Sequence, residues 1–170
     1  MSVEQHRAET PSSVFSFAVV AVSDSQTPES DRNGPLVREL IEAAGHVMAI
    51  QKLVPNAVSA VQEELQDLLQ RDGVDAIVFC GGTGFSPRDL TVDAVRPHLE
   101  REVEGFGELF RALSYAEIGT AAMLSRALGG VARRRAVFCL PGSPKAVRLA
   151  IERLILPELG HLLGQVRREP

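Results

Sequence analysis

Long apolar runs are missing from this chain. The stretch Ala18 to Val22 is far too short to cross a bilayer, which takes about 20 residues, so no membrane span is expected. An excess of positive charge is missing too, since 22 acidic and 18 basic side chains leave a formal net charge of −4. General attraction to nucleic acid or to an anionic membrane surface is therefore not expected. Cysteine is scarce. Cys80 and Cys139 stand at the ends of apolar segments and read as buried free thiols rather than a disulfide pair. The four histidines, His6, His46, His98 and His161, are scattered without ligand spacing, which argues against a transition-metal site. There is no internal repeat and no low-complexity tract. Met1 to His6 carries acid and no apolar core, so no secretory signal is expected, and a cytoplasmic location follows by default.

What is present suits one globular domain. Hydrophobic residues make up 45% of the 170 and charged residues 24%. Residues 1–12 are polar and aperiodic, the pattern of a flexible tail, and residues 13–170 read as a single domain. Val14 to Val22, Val47 to Val54, Asp75 to Cys80 and Ala136 to Leu140 are strand-like, rich in β-branched and aromatic residues. Helical spacing separates them. Leu36, Leu40, Ile41 and Ala44 form one apolar face, closed by Gly45; Val58, Val61, Leu65, Leu68 and Leu69 form another. Glu104 to Ala112 reads as a helix, and Gly129-Gly130 as a turn. Pro144 opens a helix capped by Ser143, and Pro157 opens a final short helical turn. Strands alternating with helices predict an α/β fold with a mostly parallel sheet covered on both faces.

The most informative segment is Cys80-Gly81-Gly82-Thr83-Gly84-Phe85-Ser86-Pro87-Arg88-Asp89. Three glycines just past the end of a buried strand leave the backbone open, so several N–H groups can meet one anionic oxygen. Arg88 adds a fixed cation, and Asp89 a carboxylate able to hold Mg²⁺ against phosphates. In parallel α/β folds ligands bind outside the carboxyl ends of the strands. Four segments leave the sheet there: Ser23 to Gly34, Val54-Pro55-Asn56, Gly81 to Asp89, and Leu140 to Lys145. The last repeats the physics of the third, with Gly142 before a helix N-terminus that favours an anion. Ser143 is read first as a helix cap, a role compatible with ligand contact.

Familiar nucleotide patterns fail. Gly84 is followed by Phe85, not by the Lys of a phosphate-binding P-loop, and Pro87 or Ser86 stands where a dinucleotide fingerprint needs its last glycine. Ser143 lacks the trailing glycine of a nucleophile elbow. Arg133-Arg134-Arg135 reads as a solvated turn before the last strand.

Taken together, several of these segments resemble the molybdenum cofactor biosynthesis proteins of the MoaB/MogA family. The likeness lies in Ile77 to Gly84 with Asp89; in Ser23-Asp24 and Asp31 to Gly34; and in Met123 to Ala127 and Pro141 to Val147. Glu102 to Arg111 with Glu117 to Thr120 resembles the MoaB branch in particular. The resemblance implies a three-layer α/β/α sandwich assembled as a homotrimer or homohexamer. It also implies a reaction, in which molybdopterin attacks the α-phosphorus of MgATP to give adenylyl-molybdopterin and pyrophosphate. By resemblance, Gly81, Gly82, Thr83, Gly84, Arg88 and Asp89 serve the nucleotide and Mg²⁺. Gly142, Ser143 and Lys145 serve the pterin or its phosphate, and Ser23, Asp24 and Asp31 border the pocket.

Two departures stand out. Cys80 occupies a position where the family usually has Ser or Thr. Asn56 stands where adenylylating members usually carry Asp; Asn keeps an oxygen ligand but loses the charge, so weaker metal binding and catalysis are expected. That leaves two other readings open: a non-catalytic paralogue that binds pterin or nucleotide, and an unrelated sugar- or nucleotide-binding α/β domain.

Overall fold

In the computed structural model, which describes residues 13–168, the strands are β1 (Ser16–Val22), β2 (Val47–Val54), β3 (Ala76–Cys80), β4 (Arg101–Glu102), β5 (Leu128–Ala132) and β6 (Arg135–Leu140). The helices are α1 (Asn33–Ala43), α2 (Val58–Gln70), α3 (Thr91–Val95), α4 (Glu104–Ile118), α5 (Pro144–Ala150) and α6 (Leu156–Val166). Short 3₁₀ turns follow α3 and α4, and a π turn at Ile151–Ile155 joins α5 to α6. The tail expected at residues 1–12 lies outside the described residues.

The sheet runs β2-β1-β3-β6-β5-β4. The four strands read from the sequence, β2, β1, β3 and β6, are parallel, and β5 and β4 extend the sheet antiparallel. Alternation of side chains along each strand divides the core in two. Phe17, Val19, Val78 and Phe138 pack under α1, α4, α5 and α6; Ala18, Val20, Ile77, Phe79 and Val137 pack under α2 and α3. This is the expected three-layer α/β/α architecture. Helix α1 stops as its sequence requires. Gly45 takes φ +82° and donates to the Glu42 carbonyl, while the His46 N–H reaches back to the Ile41 carbonyl.

Three local expectations are corrected. Gly129-Gly130 is the buried middle of β5, not a turn. A Cβ at Gly129 would lie 2.8 Å from the Phe106 ring, and one at Gly130 would lie 2.5 Å from Leu99, so glycine there admits neighbouring side chains. The turn falls at Arg133 and Arg134, both with positive φ. Helix α4 continues to Ile118. Pro157 stands at the start of α6 as expected, but α6 runs on to Val166 rather than making one short turn, and the wider π turn before it joins it to α5 past a residue with no N–H. Cys80 and Cys139 are free and buried, as expected. Burial pushes the Cys80 thiol up to about 12 and raises that of Cys139 as well, which removes both as nucleophiles.

Candidate functional site

Strand register brings the four loops to one edge. Val22 pairs with Val54, Ala21 with Cys80, and Cys80 with Leu140, so the parallel strands end level with one another. The glycine loop leaves at the centre. Gly81 (φ +106°) donates its N–H to the Leu140 carbonyl, and a Cβ there would sit 2.5 Å from the Val22 carbonyl oxygen. Gly82 (φ +63°) has Thr91 Oγ1 and Asn56 Oδ1 at 2.4 and 2.8 Å from where its Cβ would be. Only glycine fits either place. Beyond them, the N–H groups of Gly82, Thr83, Gly84 and Phe85 donate to nothing among the described residues. Four consecutive free donors form the open cradle that the sequence suggested.

Asp89 closes that cradle. Its Oδ2 accepts the Ser86 N–H at 2.9 Å and would lie 2.7 Å from a Cβ on Gly84, while no described hydrogen bond uses Oδ1. Asn56 stands at the opposite flank. Its N–H donates to Asp24 Oδ1 at 2.9 Å, and its own Oδ1 is buried without a hydrogen-bond partner among the described residues. One spare carboxylate oxygen and one orphaned amide oxygen therefore border the same loop. Among the described residues no three His, Cys, Asp or Glu side chains gather as a metal cage. That donor set suits Mg²⁺ held jointly with substrate phosphates, which keeps few protein ligands, and does not suit an all-protein centre.

The second glycine turn abuts the first: a Cβ on Gly142 would lie 3.4 Å from the Gly81 Cα. Ser143 caps α5 by accepting the Ala146 N–H, as read from the sequence, and the N–H groups of Gly142, Ser143 and Lys145 stay free among the described residues. Ser23 and Asp31 have mainly architectural parts. Ser23 Oγ accepts the N–H groups of Ser25 and Gln26. Asp31 is buried and accepts those of Asn33 and Gly34, which starts α1. Arg88 and Lys145 are exposed and enter no ion pair among the described residues, so Arg88 is not the fixed cation expected.

A family model described as a probable molybdopterin binding domain matches residues 18–161, a span that contains all four loops. The chain belongs to the MoaB/MogA family of molybdenum cofactor biosynthesis proteins. It is 46% identical to molybdenum cofactor biosynthesis protein B of Halalkalibacterium halodurans over 99% of both chains. A crystal structure of a molybdenum cofactor biosynthesis protein B superposes with a TM-score of 0.89 at 43% identity, covering 92% of this chain and 98% of that one. The tungsten cofactor synthesizing protein MoaB from Pyrococcus furiosus gives 0.81 at 37%, covering 91% and 98%.

Three residues that position this MoaB/MogA-type site were not singled out by the sequence. Thr91 is fully buried and donates Oγ1 to the Gly81 carbonyl at 2.8 Å. Asn33 Nδ2 donates to the Gly142 carbonyl, while its buried Oδ1 has no partner. Arg126 is the fixed cation of the glycine loop, bonded to the Gly84 carbonyl and paired with Asp93 at 2.6 Å. Only the family-like run Met123 to Ala127 pointed near it.

Proposed function

We propose that this protein acts in molybdenum cofactor biosynthesis as a molybdopterin adenylyltransferase, with MgATP as donor and pyrophosphate as second product. The contact between Gly81 and Gly142 carries this reading, because it sets two anion cradles side by side. Phosphorylated partners held on adjoining cradles meet as an intramolecular pair, which removes much of the entropic barrier. The N–H groups of Gly82 to Phe85 hold triphosphate oxygens, and those of Gly142, Ser143 and Lys145 hold the terminal phosphate of molybdopterin. An oxygen of that phosphate forms a bond to the α-phosphorus of ATP as the bond to the departing pyrophosphate breaks. Bound Mg²⁺ would neutralise charge on the triphosphate. Asp89 Oδ1 and Asn56 Oδ1 are the protein oxygens that would hold it. Arg126 keeps the loop in shape, and the exposed Arg88 and Lys145 add positive field at the rim.

Incubating the protein with MgATP and molybdopterin and assaying for adenylyl-molybdopterin tests the proposal. One observation favours a second reading, a binding protein without transfer activity: Asn56 brings a neutral oxygen where a charged one would hold the metal better. Binding of both ligands with no adenylylated product supports that alternative.

A further inference from the structure

Phe85 directly follows the three glycines, and its ring is 68% exposed. A single apolar ring left in water at a loop tip is ordinary by itself. It is nonetheless held. The Arg126 guanidinium lies 5.6 Å from the ring centroid, a cation–π distance, and is itself fixed by the Gly84 carbonyl and Asp93. The Phe85 N–H is the last of the four free donors of the cradle. The same residue thus offers a phosphate-binding N–H and an aromatic surface backed by a cation.

We infer that Phe85 is a stacking platform for the planar heteroaromatic ring of a phosphorylated ligand, a purine or a pterin, and contributes to substrate specificity. This rests on the proposed function for its choice of ligands. A ring stacked on Phe85 lies one residue from the N–H groups that hold its phosphates, so both ends of one ligand are read by a single loop. Stacking on an aromatic side chain tolerates any π-face, which makes the shared chemistry a flat ring rather than one base.

The chain contains no tryptophan, so Phe85→Trp creates a sole indole reporter. Titrations with ATP, with a soluble pterin phosphate, and with inorganic tripolyphosphate are read by its emission, and by calorimetry for the wild type, Phe85→Ala and Phe85→Tyr. The inference expects quenching by a ring-bearing ligand and none by tripolyphosphate. It expects Phe85→Ala to weaken that ligand about tenfold or more, with Phe85→Tyr close to wild type and tripolyphosphate affinity unchanged. An effect confined to ATP assigns the purine; one confined to the pterin phosphate assigns the pterin. Unchanged affinities in Phe85→Ala overturn the inference while leaving the proposed function standing. So does equal weakening of tripolyphosphate, or a change in oligomeric state with no change in affinity. A wild type that binds neither ATP nor the pterin phosphate overturns both.

Discussion

Asn33 Nδ2 donates to the Gly142 carbonyl at 2.9 Å, tying the loop that enters α1 to the loop that leaves β6 across more than a hundred residues of sequence. The bond fixes the second cradle from behind. Asn33→Ala removes it and is expected to cost about 1 kcal/mol, lowering the unfolding midpoint by about 2–4 °C. Asn33→Asp is expected to be worse, since it buries a carboxylate against a carbonyl oxygen. Differential scanning calorimetry should rank wild type above Asn33→Ala above Asn33→Asp; the reverse order for the two variants contradicts this role.

Asn56 Oδ1 is orphaned beside Gly82, where a carboxylate would face Mg²⁺-bound phosphates. Asn56→Asp is expected to raise adenylyl transfer or to lower the Mg²⁺ concentration for half-maximal rate. A charged in place of a neutral partner contributes about 1–3 kcal/mol, and each ~1.4 kcal/mol is a factor of ten. Magnesium titrations of both forms measure it. No change in rate or in metal dependence would place Asn56 outside the metal's reach.

His46 links folding to pH. Its Nδ1 accepts the Phe15 N–H at 3.3 Å, and its ring lies against Phe15 and Phe17. Burial lowers its pKa, opposed by the nearby charge of Asp75. The folded protein therefore holds this proton less tightly than the unfolded chain does. As the pH falls through about 6.5 the unfolded state is protonated first, and stability drops until the folded state titrates too. Urea midpoints of wild type and His46→Gln at pH 7.5 and 5.5 should show the wild type losing more on acidification. Equal losses would contradict it.

A homotrimer or homohexamer is expected. Phe106 and Phe110 are buried inside the chain, Phe106 against Phe138 at 5.1 Å, while Leu109 on the same helix is exposed. Tyr115, Ile118, Met123 and Leu124 are exposed on α4 and the turn after it, and such clustered apolar groups mark contacts. Light scattering should give a multiple of 18.4 kDa, and Ile118→Lys should reduce it. A wild-type monomer at micromolar concentration contradicts the expectation.

The central sheet and the glycine loop were legible because their signals are local. Val19-Val20 and Ile77-Val78-Phe79 are apolar on both faces of a parallel sheet, and three glycines in four positions announce an open backbone. What escaped depends on partners distant in sequence. Gly129 and Gly130 resemble a turn until Phe106 and Leu99 are seen to fill the space of their side chains. Asn33, Thr91 and Arg126 act on the glycine loops through one or two hydrogen bonds each that no spacing rule encodes.

The most direct test of the account is pyrophosphate release from MgATP, measured with and without molybdopterin, for the wild type and Asp89→Asn. The variant keeps an amide oxygen to accept the Ser86 N–H and should unfold within a few degrees of wild type. Pyrophosphate is expected from the wild type only when molybdopterin is present, and none above background from Asp89→Asn. Release without molybdopterin, no release with it, or undiminished turnover in a folded Asp89→Asn would contradict it.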